Sequence, residues 1–199
     1  MTNLYFEEDG SFKAGTALSQ TGNAYQVELT TGRRTKIKSS HVFFTFESPS
    51  AADLIARIPD AAAELDPSFL WEAAPEEEFS YADLAQEYWG GSAGPVEKAA
   101  LLTTLHANPV YFYRKGRGQY RKAPEEILKK ALEALERKRR LEEQRKAWTA
   151  EMVEGRLPEP IGRNALALLV SPDKNSIEWK ALADAAAETR QTPLRLMLA

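Results

Sequence analysis

Arg114, Lys115, Arg117, Arg121 and Lys122 lie close together in the chain, interleaved with Tyr111, Phe112, Tyr113 and Tyr120. Guanidinium and ammonium groups neutralise phosphates, and aromatic rings stack on bases, so this mixture suits a nucleic-acid-binding surface. Two strand-like runs, Val110–Tyr113 and Gln119–Lys122, flank a turn of Lys115, Gly116, Arg117 and Gly118. Glycines there permit a tight reversal, so the segment predicts a β-hairpin, a basic wing. The same residues also fit a solvated hairpin whose aromatics face the core.

A second basic cluster, Arg33, Arg34 and Lys36 followed by Lys38, falls on one turn and the strand after it. Other chemistry is sparse. There is no cysteine, which excludes disulfides, thiolate zinc sites and thiol catalysis. His41 and His106 are too far apart in sequence to suggest a histidine metal site. The aspartates are Asp9, Asp53, Asp60, Asp66, Asp83, Asp173 and Asp184, with none closer than six positions to the next. That spacing does not make an aspartate-rich motif able to bridge two ions about 4 Å apart.

The 199 residues, 43% hydrophobic, suffice for one medium domain or two to three small ones. The net charge of −3 conceals an asymmetry. Residues 47–98 hold twelve acids and two bases, whereas residues 114–146 hold thirteen bases and six acids. An anionic partner responds to that local field, although the two segments could equally pair within the fold. No run is apolar and long enough for a membrane span, and the N-terminus does not resemble a signal peptide. A soluble, cytoplasmic protein with no membrane partner is expected.

The elements that must position these residues follow from local pattern, and the fold class is α+β. Residues 1–47 predict a small β-barrel of the SH3 or OB kind. Its strands are expected near Leu4–Phe6, Phe12–Leu18, Tyr25–Leu29, Thr35–Ile37 and Val42–Phe46, with Asp9-Gly10, Gly22-Asn23 and Thr31-Gly32 as turns. Residues 48–123 predict a helical region that ends in the basic hairpin. Ala51–Leu65 is expected to be helical, split in two by Pro59. Ser80 caps a helix over Tyr81–Trp89, and Gly94-Pro95 opens another over Val96–Ala107.

Helix, turn, helix and hairpin is the order of a winged helix. Duplex readers of that kind present a polar, basic recognition helix, but Val96–Ala107 offers only Lys98, Thr103, Thr104 and His106. Residues 124–155 predict one long helix opened by Pro124, Glu125 and Glu126, with an apolar stripe from Ile127 towards Trp148. Acid-before-base pairs at i,i+4, such as Glu133 with Arg137 and Glu136 with Arg140, support an exposed helix. Residues 156–199 predict a C-terminal helical segment, Ile177–Thr189 being its longest helix. The apolar ending Leu196-Met197-Leu198-Ala199 suggests a chain that continues.

Several stretches together resemble a known family. They are Leu70–Glu72 (Leu-Trp-Glu), Glu78–Ala85 (Glu-Phe-x-x-Ala-Asp-Leu-Ala), Tyr111–Gly118 (Tyr-Phe-Tyr-Arg-Lys-Gly-Arg-Gly) and Ala123–Leu128 (Ala-Pro-Glu-Glu-Ile-Leu). Their order behind a small β unit resembles the N-terminal region of a bacterial subgroup of the ribonuclease II/R family, 3′→5′ exoribonucleases of single-stranded RNA. In that subgroup a winged-helix-like region precedes the catalytic domain, where better-known members carry cold-shock barrels. The resemblance implies RNA degradation as the parent activity and single-stranded RNA as partner. It also implies a catalytic domain, absent from this chain, that holds magnesium ions on closely spaced aspartates. No catalytic or metal residue is carried over, because none of the aspartates here matches that motif.

Two functions of different class follow. One is an RNA-guiding module using Arg33, Arg34, Lys36, Arg114, Lys115, Arg117, Arg121 and Lys122. The other is a protein-docking or spacer module without nucleic-acid binding, motivated by the apolar stripe at 127–148 and the acidic 47–98 segment.

Overall fold

A computed structural model describes residues 1–198. The fold is α+β, and the chain forms two compact units that divide after Leu128.

The first unit begins with five short strands: β1 (Asn3–Glu8), β2 (Ser11–Thr21), β3 (Ala24–Leu29), β4 (Arg34–Lys38) and β5 (Val42–Phe46). They form one antiparallel sheet in the order β4-β3-β2-β1-β5. All five expected strands exist, but the sheet is open rather than a closed barrel. The edge strands β4 and β5 are five residues each and pair only with β3 and β1.

The period-two alternation of β1 sorts its side chains between two cores. Leu4 and Phe6 gather with Val27 and Ile37, residues that all come from this sheet and cover one another. Tyr5 points the other way, into the cluster it shares with the helices. Asn3 and Glu7 follow the parity of Tyr5, and Glu7 is only 5% exposed. The strand therefore carries a carboxylate towards the helical part of the unit.

That part comprises α1 (Ala51–Ala63), α2 (Pro67–Ala73), β6 (Phe79–Ser80), α3 (Tyr81–Trp89), α4 (Pro95–Ala107), β7 (Phe112–Gly116) and β8 (Gln119–Lys122). Ser50 caps α1 by accepting from the Asp53 amide. Contrary to expectation, α1 runs unbroken through Pro59. A proline removes one backbone donor and crowds the preceding turn. The affected carbonyl belongs to Ile55, which is partly solvent-exposed, while Leu54 and Ile58 hold the helix to the core. The short α2 has no counterpart among the expected elements; Asp66 caps it and Pro67 opens it. Ser80 and Asp83 form a reciprocal capping box at the start of α3.

The central helix is α4. Ala99, Ala100, Leu101, Leu102, Thr104 and Leu105 are buried, so nearly its whole circumference is covered. Each fully buried leucine there contributes about 2 kcal/mol of transfer free energy.

Long helix α5 (Glu125–Val153) starts in the first unit and lies mostly in the second, which adds α6 (Glu159–Arg163), α7 (Ala165–Val170), α8 (Ile177–Thr189) and α9 (Pro193–Leu198). The second unit has its own core of Met152, Ile161, Leu168, Ala181, Leu182 and Ala185, flanked by Trp148 and Trp179. Arg145 clasps Asp184 with Nε at 2.5 Å and Nη2 at 2.8 Å, joining α5 to α8. Of the apolar stripe on α5, Leu128 is buried and Leu132 half-buried, while Ile127, Leu135 and Leu141 are exposed.

Candidate nucleic-acid interface

Strands β7 and β8 pair as the expected hairpin, and β6 joins its outer side in the order β6-β8-β7. Gly118 sits in the turn with φ +70°, a conformation that glycine adopts without strain. Its carbonyl accepts from the Tyr81 amide at 2.9 Å, which ties the turn to the start of α3. Phe112 and Tyr120 are each 1% exposed and belong to the core, whereas Tyr111 and Tyr113 are half-buried. The interleaved aromatics thus build the hairpin's seat, and two of the four are taken by packing.

The basic side chains divide into held and free groups. Arg114 Nη2 donates to both oxygens of Glu7 at 2.7 and 2.8 Å, and Arg117 Nε donates to one of them at 3.1 Å. Arg117 Nη1 also reaches the Ser40 carbonyl at 3.2 Å, in the single 3₁₀ turn before β5. Burial pushes the Glu7 carboxyl up, but the hydrogen bonds and charges of Arg114 and Arg117 outweigh that and hold it below the usual carboxylate range. Nothing in the sequence spacing of Glu7 signals that it partners either arginine.

Lys122 is likewise held. It is 8% exposed, pairs with Glu76 at 3.0 Å and lies 4.7 Å from the Trp71 ring centroid. Trp71 Nε1 in turn donates to the Ala123 carbonyl at 2.8 Å. The acidic 75–78 run and Trp71 thus serve the hairpin's base, a role their local pattern does not reveal.

Lys115 and Arg121 remain exposed on the hairpin, with no carboxylate in ion-pair range among the described residues. So do Arg33 and Lys36 at β4, while Arg34 meets Glu28 at 3.2 Å in a solvent-exposed pair. Four of the eight expected cations are therefore unpaired and solvent-facing. On α5, Arg139 and Arg140 are occupied by Glu136 of their own helix, Arg139 also by Glu143. The expected Glu136–Arg140 pair forms, whereas Glu133 and Arg137 are not in ion-pair range among the described residues.

Apart from the exposed His106 and Ala107 at its C-terminal end, helix α4 presents no open face. The aromatic side of the sheet covers it: His106 lies 5.0 Å from the Phe12 ring and the Lys98 ammonium 5.8 Å from the Phe44 ring. A helix so covered has no polar surface to lay in a major groove.

Among the described residues no three His, Asp or Glu side chains converge as metal ligands. No described helix is long and apolar enough to cross a membrane. No family model matches the chain, and neither a curated protein nor a solved structure matches it.

Proposed function

We propose that the first unit binds single-stranded RNA and guides it, as the N-terminal region of a ribonuclease II/R-like exoribonuclease would. The observation that carries this reading is the set of exposed, unpaired cations Arg33, Lys36, Lys115 and Arg121. Such groups release condensed counterions when they meet phosphates, whereas paired ones must first lose a carboxylate.

Topology supports the architecture behind the reading. A helix pair between β6 and a hairpin, with sheet order β6-β8-β7, is the connectivity of a winged helix. A five-stranded meander whose last strand returns to β1 after a 3₁₀ turn is the strand order of an SH3-like barrel. In this reading the wing contacts the nucleic-acid backbone and α4 serves as a packing core. The chemistry of cleavage would belong to a catalytic domain outside this chain.

Fluorescence anisotropy with a labelled single-stranded RNA and a matched DNA duplex, over a salt series, tests it. Salt-dependent binding that favours the single strand is expected. Absence of binding to either at low salt would leave the second reading, a docking module. Exposed Leu135 and Leu141 on α5 favour that alternative.

A further inference from the structure

Between the C-terminal end of α4 and the hairpin lies a cavity of about 310 Å³. Leu105, Phe112 and Tyr120 line it and are at most 1% exposed, forming an apolar and aromatic floor. Pro109, the half-buried Tyr113 and the exposed His106 and Arg114 complete the lining, which contains no carboxylate. The Tyr120 hydroxyl is buried without a hydrogen-bond partner. Such orphans are rare in native proteins and cost the full desolvation of the group. Arg114 engages Glu7 through Nη2 and the Gly116 carbonyl through Nε, and its Nη1 makes no hydrogen bond among the described residues.

These features favour one kind of occupant. The volume sits at the low end of the roughly 300–1,000 Å³ of ligand sites, room for a single ring system. An aromatic floor suits a flat heterocycle, and the Arg114 Nη1 donor, left free beside the Glu7 pair, suits an anionic group attached to it. A base in a duplex is stacked and paired on both sides and reaches such a recess only after costly extrusion.

We propose that this cavity takes one unstacked base of a single-stranded nucleic acid, with His106 and Arg114 at its mouth meeting the adjoining phosphate. The inference rests on the RNA-binding reading above and supplies a physical reason for a single-strand preference.

Stacking and phosphate binding separate in a salt series, because only phosphate neutralisation sets the slope while base stacking shifts affinity at every salt. The whole chain is therefore titrated with labelled oligouridylate as wild type, His106→Ala and Tyr120→Phe. The first substitution is at an exposed residue and the second removes a single oxygen, so both should fold. Each is expected to weaken binding about three- to tenfold throughout, with Tyr120→Phe leaving the slope unchanged. In parallel, adenosine monophosphate should shift the amide resonances of Leu105, Phe112 and Tyr120 in the wild-type protein. Wild-type RNA affinity in both variants overturns the proposal, as do unshifted resonances at those three positions. If RNA does not bind but the monophosphate still shifts them, the RNA-guiding reading fails while the cavity stands as a base-binding site.

Discussion

Glu7 and Arg114, 107 positions apart, are joined by hydrogen bonds from one guanidinium nitrogen to both carboxylate oxygens, at 2.7 and 2.8 Å. With Arg117 they fasten the basic hairpin to the first strand of the sheet. A feature that suits phosphate binding in the sequence thus has part of its charge committed to the fold.

Breaking that fastening should cost stability. The Glu7 side chain is 7% exposed, while those of Arg114 and Arg117 are 39% and 34% exposed, so solvent screens the pairs in part. Glu7→Gln is expected to destabilise the chain by about 2 kcal/mol in urea unfolding. Arg114→Ala should cost about as much, and the double variant less than the sum, with a coupling of about 1 kcal/mol. Fully additive losses would show that the two residues act independently.

Acid should weaken the same fastening. Glu7 is held low by its arginines, and Glu8 by hydrogen bonds from Lys13 and Thr35. A carboxyl depressed in the folded state contributes stability that is complete above its unfolded value, about 4.3, and lost as pH falls through the folded one. The urea midpoint of the wild type should therefore fall below about pH 4, and that of Glu7→Gln should fall less steeply. Parallel curves would assign the acid sensitivity to other groups.

Phosphate binding should map onto the free cations. Lys115→Ala with Arg121→Ala is expected to reduce the slope of log affinity against log salt by about 0.7 for each phosphate no longer neutralised. Arg117→Ala should act mainly on stability, because its donors are already placed on Glu7 and Ser40. A slope untouched by the Lys115 and Arg121 changes would remove the wing from the RNA path.

The hairpin turn offers a control on backbone geometry. At Gly118, with φ +70°, an added Cβ would lie 3.1 Å from Tyr81 Cδ1 and 3.4 Å from the Phe43 ring. Gly118→Ala should cost about 1–2 kcal/mol, from both strain and crowding. At Gly116 the nearest atom would be Gln119 Cβ at an ordinary 3.6 Å, so Gly116→Ala should change stability by less than about 0.5 kcal/mol. Melting both variants side by side separates the two positions, and equal losses would refute the assignment.

Elements whose signals are local were legible in the residues alone. Glycine turns separated the first four strands, Ser80 capped the helix that follows it, and the Lys115–Gly118 turn marked the hairpin. Caps and turns are satisfied by residues two or three positions away, so their chemistry is visible along the chain. Packing in three dimensions settled that α1 continues through Pro59, that the sheet stays open, and that α4 is covered. It also settled which cations are free. Glu7 looks like any strand-end carboxylate until β1 pairs with β5 and turns it towards the helices, and Lys122 looks solvated until Trp71 arrives beneath it. Charges separated by half the chain leave no periodicity to read, because what pairs them is the packing of elements and the desolvation that packing imposes.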